Sequence, residues 1–179
     1  MKQFRILLIY LISGCFLITG CGKQELPADP ETEVESVEPS KEVEIEIVDH
    51  AGLLKLNMNS STIKQEVTVK TFVDGDTTHF NVPESVMPDG IFKARYLAIN
   101  TPESTGKIEE YGKAASNFTK EKLSAATSII IESETSSWDP DSTGGRYLVW
   151  VWYKTEGMKE YRNLNVEILQ NGLALANSA

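Results

Sequence analysis

The rhythm of apolar positions changes several times along the chain, and each change marks an element. Val67-Thr68-Val69-Lys70-Thr71-Phe72-Val73 alternates with a period of two and is rich in β-branched residues, which predicts a half-buried strand. Asp74-Gly75-Asp76 supplies a turn, Thr77 to Val82 the returning strand, and Pro88-Asp89-Gly90 a second turn. A third strand is predicted from Ile91 to Ile99, with Phe92, Ala94, Tyr96 and Ala98 on one face. From Glu109 to Ala126 the period becomes helical, because Ala115, Phe118, Thr119, Leu123 and Ala126 share one face of a 3.6-residue repeat. Ser128 to Glu134 returns to a strand. Arg146 to Tyr153 then alternates Leu148, Trp150 and Trp152 against Tyr147, Val149 and Val151, and the two tryptophans are read as core. After a turn at Glu156-Gly157, Asn163 or Asn165 caps a last helix through Gln170, with Gly172 where a helix ends. The order β-β-β-α-β-β-α implies an α+β, mainly β domain. A five-stranded closed barrel with two helices packed on it is the economical form, since closure leaves no exposed sheet edge.

The first residues follow a different logic. Lys2 and Arg5 precede an apolar run from Ile6 to Ile18, followed by Thr19-Gly20-Cys21. Those 13 residues are too few for a membrane-spanning helix, which needs roughly 20, and read as a secretory signal over residues 1–20. Apolar, small, Gly, Cys resembles a bacterial lipobox, so Cys21 is expected to become a lipidated N-terminus outside the cell, on the bacterial membrane. Ile12-Ser13-Gly14-Cys15 repeats the local pattern, but cleavage there leaves an apolar core of about nine residues, near the lower limit for a signal. Both cysteines lie in this leader, which excludes disulfides and thiolate metal sites from the folded part. Residues 21–66 are rich in Glu, Pro, Ser and Thr and read as an acidic tether unable to offset its own ordering entropy. Within it, Val43 to Leu56 carries more apolar side chains and is expected to dock on the domain at 67–179 as a short strand or helix.

Charge narrows the function classes. The chain holds 17 basic and 26 acidic residues, of which 11 and 15 fall between Val67 and Ala179, so the domain itself is near −4. Tight nonspecific binders of polyanions draw most of their affinity from a basic surface, and this domain lacks that excess. A local basic cleft is what remains open.

Candidate chemistry clusters at strand ends. Asp74-Gly75-Asp76-Thr77, Arg95 with four residues before Asn100-Thr101-Pro102-Glu103, Tyr111-Gly112 opening a helix, and Gly145-Arg146 opening a strand follow one another in order. Alone, Asp-Gly is a common hairpin turn and Thr-Pro-Glu an ordinary helix start. The ordered set resembles the staphylococcal nuclease-like, or thermonuclease, family from about Val67 to Ala176. That resemblance implies an OB-type barrel and calcium-dependent hydrolysis of DNA and RNA at the 5′-oxygen bond. It implies Asp76, Asn100 and the Thr101 carbonyl as Ca2+ ligands, with Glu103 orienting or deprotonating the attacking water. Arg95 and Arg146 would grip phosphate oxygens with a planar fork that lysine lacks. The expected partners are a nucleic-acid substrate and, through Cys21, a membrane, for a monomeric protein.

Three departures qualify the expectation. Asn100 offers an amide oxygen where a second carboxylate is expected, which predicts weaker calcium binding. Asp141-Ser142-Thr143-Gly144-Gly145 replaces a tyrosine and lysine that help hold the nucleotide. With the sequence ending at Ala179, the family's last helix is expected to be missing, and Val43 to Leu56 is the candidate to cover that side. Trp138 is read as packing, and His50 and His79 as surface or strand residues. The competing function is a catalytically weak OB-fold module that binds an oligonucleotide or another partner on a lipoprotein anchor.

Overall fold

The computed structural model describes residues 48–177; the signal at 1–20, Cys21 and the tether up to residue 47 lie outside the described residues. In chain order the elements are α1 (His50–Leu53), β1 (Lys64–Asp74), β2 (Thr77–Asn81), β3 (Ile91–Tyr96), β4 (Ile99–Asn100), α2 (Gly112–Ser124), β5 (Ala126–Glu132), β6 (Tyr147–Thr155), β7 (Arg162–Asn163), α3 (Leu164–Gln170) and β8 (Leu175–Ala176). β1 pairs antiparallel with β5 through its first residues and with β2 through its second half. Irregular register at Val69/Thr71 and Phe72/Asp74 lets this one strand bend between both partners. β2 pairs with β3, β3 runs parallel to β6, and β6 returns to β5, so the ring β1-β2-β3-β6-β5 closes on itself. This is the five-stranded, mainly β closed barrel that the pattern predicts, of the OB type that the resemblance implies.

The barrel is filled by the inward residues of its strands, with Phe80, Phe92, Ala94, Ile131, Val149 and Val151 fully buried. Tyr96 is buried among them and trades a hydrogen bond with Thr78 Oγ1 at 2.9 Å, while burial pushes its phenol well above the usual range. Trp138 packs edge-on against Phe92 at 4.8 Å between centroids, a packing role as expected.

Three features differ from the sequence pattern. The third strand stops at Tyr96 rather than running to Ile99, because Ala98 takes φ +64° and turns the chain off the barrel; Ile99–Asn100 then pairs with β8. Trp150 and Trp152 stand on the outer face of β6 rather than in the barrel core, although Trp152 is buried there, 6% exposed. The inward set is Val149, Val151 and Tyr153, and the Trp152 indole donates to Glu132 Oε2 at 2.8 Å outside it. The alternation holds, and the indole N–H finds its polar partner, Glu132, on the outer face. The long helix spans Gly112–Ser124 rather than Glu109 to Ala126, its ends taken by a turn and by β5. Its buried face of Ala115, Thr119 and Leu123 is nevertheless the expected one.

A third helix joins the two expected. α1 lies within the stretch read as tether, and Ala51 is fully buried, its amide donating to Gln170 Oε1 of α3 at 3.2 Å. Asp49 caps α1 and grips Arg162 of β7 through two hydrogen bonds of 2.7 and 2.8 Å. For α3 the cap is Asn163, whose Oδ1 accepts from Val166 N at 3.0 Å. Asn165 is instead fully buried: it accepts from Val151 N and donates to the carbonyls of Leu97 and Val149 at 2.9 and 3.0 Å. That amide fixes the chain where β3 ends, next to the charged residues.

Candidate active site

The β1–β2 hairpin carries Asp76 into a fully buried position at the barrel's end. The backbone is pinned there, since Tyr96 N donates to the Asp76 carbonyl at 2.8 Å. Gly75 is required by space: a Cβ would meet Thr101 Oγ1 at 2.9 Å and Ala115 Cβ at 2.8 Å. Asp76 Oδ2 accepts from Thr101 N at 2.7 Å, and Oδ1 accepts from Thr77 Oγ1 at 3.1 Å and ion-pairs with Arg95 Nη1. Arg95 Nη2 donates to Asn100 Oδ1. Four of the residues expected from sequence, Asp76, Arg95, Asn100 and Thr101, therefore form one contiguous group.

Glu103 sits at the exposed edge of this group. Its backbone is clamped at both ends by Glu109, whose N donates to the Glu103 carbonyl at 2.8 Å and whose Oε2 accepts from Glu103 N at 3.1 Å. The Glu103 carboxyl lies against that of Asp74 and is raised above its ordinary value of 4.5, first by the hydrogen bond with Asp74, then by burial and the Asp74 and Asp76 charges, against the opposing pull of Arg95. Asp74 is itself buried and held by Ser104 Oγ at 2.6 Å and Gly75 N at 2.8 Å.

Arg146 faces Arg95 across a cleft of about 540 Å³, whose wall also includes Ser142, Leu148 and Asn177. Its Nε donates to Asp141 Oδ2 at 2.7 Å, and its Nη2 ion-pairs with the same oxygen at 2.6 Å. Burial would push the Asp141 carboxyl up, but hydrogen bonds from Thr143 and Arg146 outweigh it and leave it below the ordinary value of 3.8. Asp141 and Asp74 are the two site residues to which the sequence assigned no role. An acid five residues before Arg146, across a Thr-Gly-Gly turn, was the available signal for the first.

The oxygen donors suit a hard cation. Asp76 Oδ1 and Asn100 Oδ1 face the same guanidinium, so the space between them already draws positive charge. Thr101 Oγ1 is buried and without a hydrogen-bond partner, a spare oxygen on the residue whose amide holds Asp76. These donors fit Ca2+ by type, with one carboxylate and one amide. Among the described residues no three His, Cys, Asp or Glu side chains are grouped to hold a metal, and no helix is long and apolar enough to cross a membrane.

Residues 93–179 match the family described as Staphylococcal nuclease homologue. A thermonuclease of Staphylococcus intermedius is 34% identical over 112 residues, covering 60% of this chain and 57% of that protein. The chain thus spans a little over half the length of that relative.

Proposed function

The chain carries a domain of the staphylococcal nuclease-like family, and from that premise we propose that it is a Ca2+-dependent phosphodiesterase acting on DNA or RNA, held outside the cell by a lipid on Cys21. The observation that carries the reading is the convergence of Arg95 and Arg146 on one cleft, with Asp76 and Asn100 bonded to Arg95 and Glu103 within reach of its charge. Asp76, Asn100 and the Thr101 carbonyl would hold the Ca2+, which would supply Lewis-acid polarisation of a phosphoryl oxygen. The remaining work belongs to the chain's own side chains. A phosphate in the cleft competes with Asp141 for Arg146 and with Asp76 and Asn100 for Arg95, and the two guanidiniums then hold its non-bridging oxygens as charge grows on them. Glu103 takes the proton of the attacking water; the new O–P bond forms as the P–O5′ bond breaks and its electron pair leaves on the 5′ oxygen. A carboxylate raised above its ordinary value is a stronger base for that transfer than a free one.

Single-stranded DNA incubated with the purified protein, with calcium or chelator, tests this. Wild type is expected to cleave only with calcium, and Glu103→Gln to lose about 10²- to 10⁴-fold, the usual worth of a general base. Absence of calcium-dependent cleavage by wild type overturns the reading. In the producing cell, Cys21→Ser should move the protein from the membrane fraction to the soluble one; retention on the membrane rejects the anchor. One observation favours a second reading, a binding module without turnover: both arginines are already engaged by carboxylates in a domain of net negative charge. Its signature is oligonucleotide binding with no cleavage under any divalent cation.

A further inference from the structure

Asn100 has two neighbourhoods. On one side its Oδ1 accepts from Arg95, at the phosphate cleft. On the other it lines a separate groove of about 290 Å³ with Pro102, Glu109, Tyr111, Leu173 and Leu175. The groove is apolar and aromatic, with Tyr111 65% and Leu175 75% exposed. Large exposed apolar side chains gathered at one place mark a binding surface more often than chance scatter does.

Tyr111 is also held in a costly backbone conformation. Its φ is +65°, in the left-handed region that a bulky residue rarely adopts, and it stands at the cap position of α2 without a side-chain cap hydrogen bond. Asparagine or glycine would stabilise that position better, yet a ring is placed there and left in solvent.

We propose that this groove is a base-binding subsite, in which the Tyr111 ring stacks on an unpaired nucleobase of the strand whose phosphate lies between Arg95 and Arg146. The proposal rests on the phosphodiesterase reading and adds to it where the strand continues. Continuity through Asn100 puts the groove next to the phosphate cleft. The charge of the groove selects what enters: its charged side chain is a carboxylate, Glu109, which repels a phosphate and leaves a neutral planar ring as the fitting occupant. Aromatic stacking tolerates any base, so the subsite favours single strands over duplexes, whose bases are already stacked.

Fluorescence anisotropy on a short single-stranded oligonucleotide, in chelator so that nothing is cut, measures the subsite against the same strand built with abasic sugars throughout. Wild type is expected to bind the strand with bases roughly 5- to 150-fold tighter. Tyr111→Asn, which relieves the backbone and removes the ring, should reduce that ratio to near one, while Tyr111→Phe should keep it. Equal binding of both strands by wild type, with calcium-dependent cleavage of both, overturns the subsite and leaves the phosphodiesterase standing. An unchanged ratio in Tyr111→Asn also overturns it. So does equal weakening on both strands, since the ring would then shape the loop rather than meet a base. A wild type that neither binds nor cuts either strand removes the phosphodiesterase reading and the subsite together.

Discussion

On the proposed reading, Asn100 sets how strongly a cation would be held beside Arg95. The residue is an acceptor for Arg95, while Asp76 is fully buried and shares the same guanidinium. A dication entering between the two oxygens must displace a tethered positive charge with the help of a single carboxylate. Asn100→Asp adds the missing charge, and calcium affinity measured by isothermal titration should rise roughly tenfold, since ligand charge is a main lever on such sites. Equal affinity would show that residue 100 is not a ligand. Asp76, Arg95, Asn100 and Thr101 were legible in the sequence because each sits in a short ordered motif at a strand end. Asp74 beside Glu103 was not, since its contact to Ser104 joins residues 30 apart, and no local spacing encodes that. Asp141 was hidden for another reason: an acid in a Gly-rich turn satisfies the turn equally well with or without a partner.

Between β4 and α2 the chain forms a loop whose shape sets where Glu103 stands. Glu109 closes it on Glu103, and Gly112 lets the first turn of α2 approach. A Cβ at Gly112 would lie 2.1 Å from the Glu103 carbonyl oxygen, a backbone atom that cannot rotate away. Gly112→Ala should therefore cost about 1–3 kcal/mol of stability, as overpacking does, and lower kcat beyond what the unfolded fraction accounts for. Thermal unfolding followed by turnover on the folded fraction checks it; normal turnover with an unchanged midpoint would mean that the loop accommodates the methyl. The helix itself was readable from its Ala115, Thr119 and Leu123 face, but its start was placed three residues early. Glu109 and Glu110 are good helix formers recruited into a turn, and the left-handed Tyr111 that ends this turn breaks the propensity rule. β6 taught a similar lesson: period two gave the two faces, and only closure of the barrel decided which one was inside.

At the scale of the molecule, barrel closure through β3 and β6 puts Arg95 and Arg146 on neighbouring strand ends, and α1 is tied on from the N-terminal side. The join buries Ala51 and carries the Asp49–Arg162 ion pair at its surface, so it should respond to pH and salt. The Arg162 guanidinium holds the Asp49 carboxyl far below its ordinary value of 3.8, helped by Gly52 N and Gln170, with burial opposing weakly. A depressed folded-state value means that the unfolded chain binds the proton more readily. The contribution is thus full above about pH 3.8 and is lost as pH falls through the folded value. Asp49→Asn should lower the unfolding midpoint at neutral pH and low salt, and the gap from wild type should narrow below pH 3.8 and also in about 1 M salt. Arg162 keeps Glu167 at 3.4 Å in the variant, which limits the loss to the docking of α1. A midpoint that Asp49→Asn leaves unchanged at neutral pH and low salt would mean that Asp49 acts through its cap on α1, where an asparagine serves as well, and that the ion pair to Arg162 contributes nothing to holding the N-terminal segment on the barrel.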